Sequence, residues 1–151
     1  MHRTASSIAE APADDVFAIV SDLATYSGWL DLVVDAETAE AQAGDPGPAW
    51  MVTIRAKVGP LARSKKLRMV RSSLEKSEDE GGLAFFERRE VDGRDHAAWT
   101  LRAEVAAKSD NACAVDMELR YEGGLWTTPL EPILGTLIDG AGEHLTSYAN
   151  R

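Results

Sequence analysis

The end of the chain carries one long amphipathic pattern, and the stretch before it, from Leu32 to Arg120, alternates with a period of two. That pairing is the strongest constraint on the fold, because a helix with one apolar side needs a surface to lie on, and here the surface must be a sheet. The spacing predicts a helix running from Thr128-Pro129-Leu130-Glu131 towards Tyr148. Thr128 suits the cap, Pro129 the first helical position, and Glu131 falls three residues after the cap, where it can reach back to an open backbone donor. Leu130, Ile133, Leu134, Leu137, Ile138, Ala141, Leu145 and Tyr148 then recur at steps of three and four. The pattern by itself fits a plain core helix better than a helix that closes over a cavity. Gly135, Gly140 and Gly142 within it call for a reason, such as close approach by a ligand or by the sheet, or a bend.

Upstream, Arg3 to Ala9 reads as a strand. Pro12, Asp14 and Asp15 then open a short helix with an apolar side of Val16, Phe17, Ile19, Val20 and Leu23, and Ser27-Gly28 breaks a second helical turn before Trp29. Turn chemistry at Gly44-Asp45-Pro46-Gly47-Pro48, Gly59-Pro60, Gly81-Gly82, Asp92-Gly93 and Ser109-Asp110-Asn111 divides the remainder into six antiparallel strands. Trp50, Val52, Ile54, Ala56 and Val58 form one dry face, as do Trp99, Leu101, Ala103 and Val105, and Val115, Met117, Leu119 and Tyr121. With no repeat or linker, residues 1–151 read as a single domain.

Composition excludes several classes. No apolar run is long enough to span a bilayer and the N-terminus lacks the apolar core of a signal peptide, so a cytoplasmic location is expected. Cys113 stands alone, and His2, His96 and His144 show no ligand spacing, so neither a metal nor a cofactor is expected. The net charge of −9 argues against nucleic acid. Arg55, Lys57, Arg63, Lys65, Lys66, Arg68 and Arg71 nevertheless lie together without an acid; subtracting these seven charges from the net −9 leaves −16 for the rest.

The run Ala11-Pro12-x-x-x-Val16-Phe17-x-x-Val20-x-Asp22-Leu23-x-x-Tyr26-x-x-Trp29, together with the element order, resembles the START-like or SRPBCC superfamily of polyketide cyclase/dehydrase and lipid-transport proteins. The resemblance covers the whole chain. It implies an α+β helix-grip fold: a curved antiparallel sheet of about seven strands around a long C-terminal helix, with two short helices after the first strand. It also implies a cavity between sheet and helix for a lipid, an isoprenoid quinone or a polyketide-like molecule. Some relatives are aromatase/cyclases, and some small bacterial ones act in toxin or stress responses through protein contacts, so three function classes stay open.

The dry faces nominate a cavity wall of Trp29, Ile54, Met69, Phe85, Trp99, Leu101, Met117, Tyr121, Leu134, Ile138 and Leu145. Each also serves as plain core. If Leu67, Met69 and Arg71 share one face and Leu83, Phe85, Glu87 and Arg89 the next, then Arg71 and Glu87 point inward, where with Tyr121 or His144 they could polarise carbonyls and move protons. The hairpin tip, Val58-Gly59-Pro60-Leu61, is apolar between basic flanks. The resemblance implies that such a loop lies near the cavity mouth, so Val58, Pro60 and Leu61, with Trp126, are expected as a lid or entrance, or as a point of transient membrane-surface contact. A monomer or a homodimer fits this reading.

Overall fold

The computed structural model describes residues 2–58, 60–122 and 140–151, the side chains of Val58 and Leu61 excepted. Seven strands form one antiparallel sheet: β1 (His2–Ala9), β2 (Val33–Ala39), β3 (Ala49–Val58), β4 (Leu61–Lys76), β5 (Gly81–Arg88), β6 (Trp99–Ser109) and β7 (Ala112–Tyr121), ordered β1-β7-β6-β5-β4-β3-β2. Apart from β1, neighbours in space are neighbours in sequence, as expected for strands joined by short turns. Register shifts interrupt β2 between Val33 and Asp35, β4 between Arg71 and Ser73, and β6 between Ala107 and Ser109. Each shift adds local twist, which bends the sheet around its covered face.

Helix α1 (Ala13–Val20) and a 3₁₀ helix (Leu23–Gly28) follow β1. Helix α1 buries Val16, Phe17 and Val20, each contributing about 1.5–3 kcal/mol over the exposed state. Asp14 in its first turn accepts from the Gly81 amide at 2.9 Å and pairs with Lys76, fastening the helix to the β4–β5 turn. The Val20–Trp29 motif is a local clamp. Asp22 caps the 3₁₀ helix by accepting from the Ala24 amide at 3.0 Å, the Tyr26 hydroxyl donates to the Val20 carbonyl at 2.7 Å, and Trp29 Nε1 donates to Thr25 Oγ1 at 3.2 Å. The Tyr26 and Trp29 rings lie 4.4 Å apart.

Helix α2 (Ala141–Ala149) packs against β1 and α1. It covers nine residues, fewer than the long helix expected; the expected start at Thr128 to Glu131, together with Ile133, Leu134, Gly135, Leu137 and Ile138, lies outside the described residues. Two glycines mark where this helix presses closest. A Cβ on Gly142 would stand 2.5 Å from Ser7 Cβ on β1, and one on Gly28 would stand 2.5 Å from Cε2 of Tyr148. For Gly142 the reason is therefore contact with the sheet.

Candidate functional site

The covered, concave face collects the dry phase of each strand: Trp50, Val52, Ile54 and Ala56 from β3, Leu67 and Met69 from β4, Ala84 and Phe86 from β5, Trp99, Ala103 and Val105 from β6, and Cys113, Val115, Met117, Leu119 and Tyr121 from β7. Of the nominated wall residues, Trp29, Ile54, Met69, Trp99, Met117, Tyr121 and Leu145 are buried in this cluster, and Leu101 packs on its edge. Leu134 and Ile138 lie outside the described residues.

Phe85 must be corrected. It pairs with Arg102 on the opposite, convex face, and Phe86, fully buried, takes the inward position. The cause is α1, which crosses β5 so closely that a Cβ on Gly82 would stand 2.6 Å from the Phe17 ring. Small residues at 82 and 84 mark the covered phase, and the bulkier Leu83 and Phe85 belong to the other.

The proposed acid–base group does not converge. Arg71 does point inward, its Nη1 donating to the buried Ser21 carbonyl at 2.8 Å with the guanidinium 5.9 Å from the Trp50 ring. Glu87 shares the phase of Phe85 rather than of Phe86, and there accepts from Arg89 Nε at 2.7 Å. His144 is an exposed surface residue 3.8 Å from Asp31. Tyr121 stacks on Trp99 at 4.5 Å with the rings 14° from parallel.

The basic run divides by burial. Arg55, Lys57, Arg63 and Lys66 are exposed. Arg68, expected on the charged surface, is buried beneath the 40–48 loop, its side chain 3% exposed. Its guanidinium donates to Asp45 Oδ2 at 2.7 Å, to the Glu40 carbonyl at 2.9 Å and to the Arg89 carbonyl at 3.1 Å, so this cation is a fully bonded strut. The Arg68 hydrogen bond, and after it the bond from the Gln42 amide, hold the Asp45 carboxyl down at about 2. Lys65 is the one whose position bears on a ligand. It pairs with Ile54 on the concave phase, is half-buried, and holds its ammonium 5.9 Å above the Trp99 ring. Pro60 is exposed at the hairpin tip, whereas the side chains of Val58 and Leu61, and all of Trp126, lie outside the described residues.

An apolar hollow of about 20 Å³ lies on the concave side, lined by Leu30, Leu32, Leu101, Met117 and Leu119. That is space for about one water, with walls that offer it no partner. Leu101 and Met117 were nominated from sequence; Leu30, Leu32 and Leu119 were not, although Leu119 shares the dry phase of Met117. A wider cleft of about 480 Å³ opens to solvent at the strand ends, where His2, Thr100, Arg120 and Glu122 mix with Ala98 and Tyr121 in its lining.

This architecture agrees with what the chain is similar to. Residues 1–147 match the family described as polyketide cyclase/dehydrase and lipid transport, and the chain belongs to that family. Among solved structures, a START superfamily protein from Mycobacterium smegmatis superposes with a TM-score of 0.60 at 17% identity, covering 97% of this chain and 92% of that one. Human STARD10 superposes with a TM-score of 0.76 at 10% identity over 99% of this chain and 63% of its own. The di-domain ARO/CYC BexL from the BE-7585A biosynthetic pathway gives 0.57 at 14% identity, with all of this chain spanning 50% of BexL. Comparison with curated proteins by sequence finds no match. No helix among the described residues is long and apolar enough to cross a membrane.

Proposed function

We propose that the protein is a single-domain carrier of a hydrophobic small molecule, bound on the concave face between the Leu30–Leu32 segment and strands β6 and β7. The observation that carries this reading is the dry hollow bounded by Leu30, Leu32, Leu101, Met117 and Leu119. Five aliphatic and thioether side chains with no polar group make a surface that water solvates poorly and an apolar cargo solvates well. Membership of a family described by lipid transport supports an apolar cargo.

Among the described residues the hollow holds about 20 Å³, whereas sites for drug-sized ligands occupy roughly 300–1,000 Å³. Cargo therefore binds by selecting a conformation in which the Leu30–Leu32 segment stands away from the sheet, with the Met117 thioether re-packing to suit. The clamp on Tyr26 and Trp29 holds one end of that segment fixed. The test is native mass spectrometry of the purified chain, together with organic extraction of what co-purifies. A bound apolar molecule, or uptake from a panel of fatty acids, quinones and polyketide-like aromatics, is the expected result; a chain that stays empty against the whole panel overturns the reading.

A further inference from the structure

On the concave side, three hydrogen-bond donors lack acceptors among the described residues: Nε1 of Trp50, Nε1 of Trp99 and the ammonium of Lys65. Trp99 Nε1 is buried with no partner among the described residues. Lys65, across the sheet from it, makes no hydrogen bond and no ion pair among the described residues, its only close contact of that kind being the Trp99 ring at 5.9 Å. The carboxylate whose field reaches Lys65 is Glu90, and that group is already engaged: Oε1 accepts from Arg88 Nε at 2.9 Å and from the Arg68 amide at 2.9 Å. Arg88 is in turn bound to the Ala97 carbonyl at 3.2 Å. Burial, and then the charge of Arg88, push the Lys65 ammonium below its ordinary pKa, with Glu90 acting in the opposite direction.

Arg71 offers the internal comparison. It also stands over a buried indole, that of Trp50, whose Nε1 likewise has no partner among the described residues, yet the Arg71 charge is answered by the Ser21 carbonyl at 2.8 Å. Lys65 has no such acceptor among the described residues. A half-buried cation held 5.9 Å from a ring whose own N–H is buried and open is costly unless a ligand completes both groups.

We infer that Lys65 and Trp99 receive the head of the cargo, and that this head is a carboxylate on an otherwise apolar chain. One positive charge with two donors matches the single charge and two oxygens of a carboxylate. The aromatic stack of Trp99 on Tyr121 supplies a flat apolar wall for the first carbons behind the head. The inference rests on the carrier reading and adds the chemical class of its cargo.

The experiment titrates the full chain with dodecanoate and with dodecan-1-ol, which share a tail and differ in head, with bound mass counted by native mass spectrometry. The native chain is expected to prefer the acid by about tenfold. In Lys65→Met the preference falls to within about twofold while alcohol binding persists, a pattern that loss of fold cannot produce. Trp99→Phe, which keeps the ring and removes Nε1, lowers affinity for the acid more than for the alcohol. Equal affinity of the native chain for both, or an undiminished preference in K65M, overturns the inference and leaves the carrier reading intact. Binding of neither ligand by the native chain also overturns the inference, and the carrier reading then stands or falls on the wider panel of quinones and aromatics.

Discussion

The Arg68 guanidinium meets the Asp45 carboxylate at 2.7 Å with both side chains nearly removed from solvent, 3% and 8% exposed, on the side of the sheet that the core does not occupy. Through this pair the 40–48 loop is held down over β4. Removing one partner strands the other, so Asp45→Ala should destabilise the fold more than Arg68→Met, and the two together less than the sum of the singles. Urea unfolding of the three variants checks the order.

The same pair sets an acid limit. The folded Asp45 carboxyl is held at about 2, below its ordinary 3.8, so its contribution is complete above the unfolded value and is lost as pH falls from about 4 through about 2. The stability difference between the native chain and Asp45→Ala should therefore be flat near neutrality and shrink across that window, as read from unfolding curves at successive pH values.

Tyr26→Phe deletes a buried hydroxyl that donates to the Val20 carbonyl and leaves that carbonyl without its partner. A loss of about 1–2 kcal/mol is expected, measured by denaturant unfolding. Burial also drives the phenol far above the ordinary tyrosine range, so ultraviolet titration should show Tyr26 ionising only on unfolding.

Gly142→Ala separates propensity from packing. In an exposed helix the change would gain up to about 1 kcal/mol, but here the new methyl meets Ser7 Cβ at 2.5 Å. A net loss of about 1–3 kcal/mol is expected, with partial rescue by Ser7→Gly, both followed by thermal unfolding.

Cys113 is fully buried, and burial raises its thiol above the ordinary range. Modification by a disulfide reagent at neutral pH should proceed at the rate of unfolding rather than at the rate of a free thiol. Rapid labelling of the folded chain would contradict the burial.

Much of the sheet was legible because alternation survives in β3, β6 and β7, where one phase is large and apolar and the other charged. It failed in β5, whose covered phase is Gly82, Ala84 and Phe86: the small residues that look like weak core are small because Phe17 lies against them. No period could reveal that contact, since α1 is more than sixty residues away. Arg68 was misread for a related reason. Its acid partner lies 23 residues earlier in an irregular loop, and a cation with a distant answer looks the same in sequence as one facing water. In the candidate site, Leu101 and Met117 followed from strand phase. Leu30 and Leu32 sit in a short segment without a period, and the significance of Lys65 depends on which neighbours fail to reach it.

Strand β1 pairs along its length with β7, from His2 opposite Arg120 to Ala9 opposite Cys113. During synthesis the first strand therefore leaves the ribosome without its neighbour and waits for more than a hundred further residues to be translated. Until β7 arrives, the growing chain can assemble the meander from β2 to β6 one hairpin at a time, but the first strand stays unmated, and a chain whose translation stalls before β7 leaves it so.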